Sequence, residues 1–194
     1  MKVSIIGTGY VGITTGACLA YLGHQVTCID SDEKKIAILR SGKTPIYEPF
    51  LEELLADARQ NLRFCTQYAG AVQDADVIFI AVGTPPSADG SPDLRYLSQA
   101  ARGIGEHYNG DFTVVVNKST VPIGSGNWVG SLVRESYEQH HGKKNLHERN
   151  NSHHRSFPFF RSTHEDHPDH RMPDEPQQRA AFLSFPDASE NKFH

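Results

Sequence analysis

The chain has only three cysteines in 194 residues, an odd number with no close pair, which gives no disulfide framework and points to free thiols in the cytosol. It also lacks any apolar run near the roughly 20 residues that span a bilayer. Its first residues, Met1-Lys2-Val3-Ser4-Ile5, enter a strand without the layout of a signal peptide. A net charge of −4 gives no electrostatic footing for nucleic acid or a membrane surface. The sharpest absence is local. From Lys143 to His194 there are 52 residues without one glycine, valine or isoleucine, although the chain holds 16 glycines, all at or before Gly142. Only 12 of those 52 residues are apolar, and no period of 2 or 3.6 persists beyond a turn. Such a stretch cannot bury enough apolar surface to offset its ordering entropy.

The chain therefore divides into a folded region, 1–142, and an irregular tail, 143–194, expected to be disordered. The tail carries 8 basic and 8 acidic residues, so charge does not make it an acidic or basic arm. A shift of reading frame near residue 142 accounts for so abrupt a change. His164, His167 and His170 recur every three residues, but Pro168 lies inside the run and opposes the helix that would align them. No cysteine accompanies them, and no metal site is expected.

What is present begins at once. Lys2-Val3-Ser4-Ile5-Ile6 reads as a strand and runs into Gly7-Thr8-Gly9-Tyr10-Val11-Gly12, a Gly-x-Gly-x-x-Gly followed by a helix-period pattern. A second strand, Gln25-Val26-Thr27-Cys28-Ile29, ends in Asp30, 18 residues past Gly12. A dinucleotide fold needs a carboxylate there to accept hydrogen bonds from the adenosine ribose. Gly7 permits the tight turn, Gly9 admits backbone to a pyrophosphate, and Gly12 lets helix approach strand. The helix N-terminus offers unpaired N–H groups to the phosphates.

Strands are expected at Val3–Ile6, Gln25–Asp30, Leu62–Thr66, Val77–Val82 and Phe112–Asn117. The runs at 77–82 and 114–116 are continuously apolar, which suits a parallel sheet covered on both faces. The first helix is expected to pack through Val11, Thr14, Thr15, Cys18, Leu19 and Leu22, with Gly16, Ala17 and Ala20 allowing close approach. A second helix is expected at about 32–39. Pro49 marks the first turn of a third, with Phe50, Leu51, Leu54 and Leu55 facing inward. Helices at about 93–107 and 126–140 complete a β-α alternation, which gives a Rossmann-type doubly wound α/β sheet. Cys18, Cys28 and Cys65 are expected to be buried structural thiols, so no catalytic residue is assigned.

Three further segments carry a resemblance. They are Pro45-Ile46-Tyr47-Glu48-Pro49 with Leu51-Glu52-Glu53-Leu54-Leu55; Phe79-Ile80-Ala81-Val82-Gly83-Thr84-Pro85-Pro86 with Asp89-Gly90-Ser91-Pro92-Asp93-Leu94; and Lys118-Ser119-Thr120-Val121-Pro122-Ile123-Gly124. With the glycine-rich start they resemble the nucleotide-sugar 6-dehydrogenases, over about residues 1–140. Phe50 departs from that pattern, where relatives usually carry glycine.

The resemblance implies oxidation of a sugar C6 alcohol to a carboxylate with two NAD, the branch acting on UDP-glucose being favoured over those acting on GDP-mannose or UDP-N-acetylmannosamine. It implies NAD contacts at Val11, Asp30, Lys35, Thr84 and Thr120, beside Gly7, Gly9, Tyr10 and Gly12 of the motif. Thr84 and Thr120 also fall just past strand ends, where open α/β sheets bind ligands, although plain turn residues remain an alternative reading. Lys35 reads equally as a solvated helix lysine. The family's sixth strand with its catalytic glutamate, its linking helix and its sugar-binding half with the nucleophilic cysteine have no counterpart here. The expectation is a truncated, inactive cofactor domain, with a stand-alone NAD-binding regulatory module as the alternative.

Overall fold

A computed structural model describes residues 1–88, 90–109, 112–122, 125–142 and, as a strand backbone, 159–162. The elements are β1 (Lys2–Ile6), α1 (Tyr10–Tyr21), β2 (Gln25–Ile29), α2 (Glu33–Arg40), α3 (Leu51–Asp57), β3 (Leu62–Cys65), β4 (Val77–Ile80), α4 (Arg95–His107), β5 (Val114–Asn117), α5 (Ser125–His141) and β6 (Phe159–Ser162). Every strand pairing is parallel and the order is β3-β2-β1-β4-β5-β6. The chain reverses direction across the sheet between β1 and β4, and a ligand crevice of an open α/β sheet lies at such a switch point.

Side-chain alternation sorts the two faces. On one, Ile6, Ile78, Ile80 and Val115 are at most 3% exposed and lie in a cluster with Leu97, Ile104, Val129 and Val133 of α4 and α5. Gly105 lets those two helices touch, because a Cβ there would meet the Val133 carbonyl oxygen. On the other face, Val3, Ile5, Val26 and Cys28 are at most 2% exposed and cluster with Ile13, Ala17 and Ala20 of α1 and Leu51 and Leu55 of α3. The register continues that face across β4 and β5, pairing Val77 with Val114 and Phe79 with Val116. All four of these side chains are only half-buried, Phe79 packing against the cluster that holds Ile13 and Ala17 of α1.

Four expectations need correcting. The buried stripe of α1 is Gly12, Ile13, Gly16, Ala17 and Ala20, whereas Val11 and Leu22 are exposed. Small residues face the sheet because the helix lies close: a Cβ on Gly16 would sit 2.7 Å from the Cys28 sulfur. Cys18 is likewise exposed on the outer side of α1 rather than buried. Helix α3 starts at Leu51, not Pro49, and Phe50 points outward at 81% exposure. Phe50 also holds φ +65°, a left-handed conformation costing an L-residue about 1–2 kcal/mol, which a glycine would adopt without that cost. Finally, no strand was expected beyond 112–117, yet Phe159–Ser162 pairs with β5 and covers its edge. The rest of the tail, with its histidines, lies outside the described residues.

Candidate cofactor-binding site

The loop from β1 to α1 is built by its glycines. Gly7 takes φ +100°, and a Cβ there would sit 2.5 Å from the Ala81 carbonyl oxygen, so the turn tucks against the start of the loop after β4. A Cβ on Gly12 would overlap the Gly7 carbonyl oxygen. Gly9 is different: nothing lies within 4 Å of its Cβ position. It is the N-cap of α1, offers no side-chain cap, and no acidic residue occupies the first turn. The first-turn N–H groups of Tyr10, Val11 and Gly12 therefore remain available to an anion that approaches over Gly9.

Asp30 closes the other side. It follows β2, and its Oδ2 accepts from the Thr8 N–H at 2.9 Å and the Thr8 hydroxyl at 2.6 Å. Its Oδ1 accepts from the Asp32 N–H at 3.0 Å. Lys35, in the first turn of α2, places Nζ 3.7 Å from Oδ2. Asp32 caps α2 by accepting from Lys34 and Lys35 N–H, and this aims the lysine. Burial pushes the Asp30 carboxyl up, but the Thr8 hydroxyl, the Asp32 and Thr8 N–H groups and the Lys35 charge outweigh it and hold the carboxyl below its ordinary 3.8. A depressed folded value gives stability that is present above about pH 4 and is lost as pH falls through that lower value. The melting-temperature gap between this chain and Asp30→Asn should thus be open at pH 7 and close in acid. A gap unchanged down to pH 2.5 would contradict the arrangement.

Thr84 and Thr120 lie past β4 and β5, and the structure joins them: the Thr84 hydroxyl donates to the Thr120 carbonyl oxygen at 2.8 Å. Ser119 reciprocates, its hydroxyl donating to the Val82 carbonyl oxygen at 2.8 Å. The two loops thus form one rim, with Thr120 itself exposed. Tyr10 is drawn toward the loop after α2, where the Glu48 carboxylate, by its charge and a hydrogen bond, raises the Tyr10 hydroxyl. Sequence reasoning missed Thr8, Ser119 and Glu48. It also missed Tyr68, whose hydroxyl is pushed up to about 12 by burial and by the charge of Asp30.

Of the cysteines, Cys65 lies beside the crevice, its carbonyl oxygen accepting from the Asp30 N–H at 3.1 Å. Cys28 is fully buried and its thiol is pushed up to about 12, first by burial and then by Cys65, which burial also raises. Such thiols are poor nucleophiles. Among the described residues no three His, Cys, Asp or Glu side chains gather to hold a metal ion, and no helix is long and apolar enough to cross a membrane.

A glycine-cornered turn into an uncapped helix, with a hydrogen-bonded carboxylate at the end of β2, defines a dinucleotide-binding domain of the Rossmann class. The sequence model of the UDP-glucose/GDP-mannose dehydrogenase family, NAD binding domain, matches residues 1–151. The chain belongs to that family and comprises its NAD-binding domain. UDP-glucose 6-dehydrogenase TuaD of Bacillus subtilis is 48% identical over 137 residues, a match covering 70% of this chain and 30% of that protein. The UDP-glucose 6-dehydrogenase of Rhizobium meliloti is 49% identical over 139 residues, covering 70% and 32%. Among solved structures, GDP-mannose dehydrogenase from Pseudomonas aeruginosa superposes with a TM-score of 0.68 at 40% identity, over 71% of this chain and 33% of that one. UDP-glucose dehydrogenase from Pyrobaculum islandicum gives 0.65 at 41% identity, over 73% and 33%. The chain thus spans about a third of the length of the relatives it matches.

Proposed function

We propose that this chain is the cofactor part of a nucleotide-sugar 6-dehydrogenase that oxidises UDP-glucose to UDP-glucuronate with two NAD, and that it is inactive by itself. The Asp30 carboxylate, fixed at the end of β2 beside an open helix N-terminus, carries this reading. NAD, when bound, supplies the hydride acceptor. The chain's own residues bind and orient. The N–H groups of Tyr10, Val11 and Gly12 would hold the pyrophosphate, Gly9 would leave its approach clear while Gly7 shapes the turn, and Asp30 with Lys35 would meet the adenosine ribose. The tied loops bearing Thr84 and Thr120 would form the rim toward the nicotinamide end. UDP-glucose is favoured over GDP-mannose by the similarity to enzymes named for UDP-glucose at 48% and 49% identity.

Catalysis needs more than this. Hydride transfer requires reacting atoms about 3–3.5 Å apart, and a covalent step requires an activated thiolate. Cys28 and Cys65, both raised by burial, do not meet that need, and Cys18 lies on the outer side of α1. The half-buried face formed by Val77, Phe79, Val114 and Val116 supports the same reading: parallel sheets are normally covered on both sides. A helix about 10 Å across spans two strands about 4.8 Å apart, and the remaining two thirds of a full-length relative are of sufficient size to supply one. We also propose that the tail past residue 151, where the family match ends, is foreign to the family domain, a reading supported by matches of 137 and 139 residues to the two relatives.

The test is NADH formation with saturating UDP-glucose, for this chain and for a hybrid joining residues 1–142 to the remainder of the Bacillus subtilis relative. Turnover by the hybrid and none by the chain is expected. Turnover by the chain itself, abolished by Asp30→Ala, would refute the inactivity, and a folded hybrid that binds no NAD would refute the cofactor role.

A further inference from the structure

We propose that Thr8, buried behind the ribose carboxylate, is a positioning residue that sets NAD over NADP: it ties Asp30 Oδ2 from two sides, leaves one acceptor site on Oδ1 for a ribose hydroxyl, and keeps the carboxylate from turning further toward Lys35. The proposal rests on the reading of this crevice as the NAD site. An ionised carboxylate has about four lone-pair sites. The Thr8 N–H and hydroxyl fill two on Oδ2, and the Asp32 N–H fills one on Oδ1. One remains, on the oxygen that Thr8 does not touch. A 2′-hydroxyl can donate to it; a 2′-phosphate has only acceptor oxygens and carries the same charge as Asp30.

Thr8 is 1% exposed, so it touches no ligand and acts only through Asp30. Both its donors go to one oxygen, and this fixes the rotation of the carboxylate as well as its position. Lys35 is a competing partner on the same oxygen. Its Nζ is 3.7 Å from Oδ2, and its side chain is 41% exposed, so it is free to follow a carboxylate that swings outward or to meet a phosphate. Without the hydroxyl, Asp30 is held on that oxygen by one backbone donor, and a turn toward Lys35 clears space for a 2′-phosphate at the same time. Thr8 therefore affects discrimination, whereas a purely structural role would alter stability or both affinities alike.

The experiment is calorimetric titration of the 194-residue chain, Thr8→Val and Thr8→Ser with NAD and with NADP, alongside melting curves. Loss of one charge-assisted hydrogen bond corresponds to about tenfold in affinity. Thr8→Val should weaken NAD by about that factor and narrow the NAD-to-NADP ratio by a similar one, while Thr8→Ser keeps both within about twofold of the parent. A parent that binds NAD and a Thr8→Val variant with an unchanged ratio would overturn the role of Thr8 alone. A folded parent that binds no NAD would overturn the cofactor reading and this proposal with it. Thr8→Val repeated in a Lys35→Gln background tests the route. The narrowing of the ratio should shrink when the lysine is removed, and an equal narrowing in both backgrounds would overturn the part assigned to Lys35.

Discussion

Gly12→Ala should lower the melting temperature by about 10 °C, from a loss of about 3 kcal/mol in a domain of this size. The reason is backbone against backbone. The new methyl would overlap the Gly7 carbonyl oxygen and lie 3.4 Å from the Ala81 Cβ. Neither can rotate away, because Gly7 N–H is committed to the Ile29 carbonyl oxygen at 2.8 Å and Ala81 N–H to that of Ile6 at 2.8 Å. Relief requires α1 to lift from the sheet, which uncovers Ile13 and Ala17, both fully buried. Gly9→Ala is the companion. Its Cβ meets nothing, and its φ of −71° suits any residue, so stability should change by less than about 1 kcal/mol. NAD binding should nevertheless weaken, because the methyl stands where the pyrophosphate approaches. Equal melting temperatures for Gly12→Ala and Gly9→Ala would contradict the packing assigned to this turn.

Asp30→Ala should reduce NAD affinity by about 30-fold, the equivalent of about 2 kcal/mol for a ribose hydroxyl bonded to a charged acceptor. The same change leaves the Thr8 N–H and hydroxyl without their acceptor in a buried position, so a modest loss of stability should accompany it. NADP should respond in the opposite sense. A phosphate about 4 Å from the carboxylate meets roughly 4 kcal/mol of repulsion at an effective dielectric near 20, and Lys35 with solvent screens that to a fraction. Removing the carboxylate lifts the repulsion and leaves the lysine, so NADP should bind at least as tightly to Asp30→Ala as to the parent. Titration of both nucleotides into both proteins measures this, and a parallel loss for NAD and NADP would remove Asp30 from the ribose site.

Much of this was legible from sequence because of the kind of fold it is. Strands of a parallel sheet are buried on both faces, so β4 and β5 stand out as unbroken apolar runs, and the structure shortens them only at their ends. The glycine motif and Asp30 are separated by a helix and strand of near-fixed length, so spacing alone placed them together. Helix α1 was misread for a physical reason. It carries no charged residue, so no polar face marks the outside, and its inward side is chosen by size rather than hydrophobicity. Glycine and alanine lie against the sheet while Val11, Cys18 and Leu22 turn away. Phe50 was read inward because it is apolar, but a left-handed residue before a helix points where the backbone sends it. Thr8 resembled a spacer between two glycines. Its partner lies 22 residues away, and the Thr84–Thr120 tie spans 36, separations at which a lone hydroxyl leaves no periodic trace.

The measurement closest to the central claim is calorimetric titration of the intact 194-residue chain with NAD and, separately, with NADP. One site per chain is predicted, with NAD bound at least about tenfold more tightly, as screened repulsion of roughly 1.4 kcal/mol requires. NADP bound as tightly as NAD, or a folded chain that binds neither, would contradict the account.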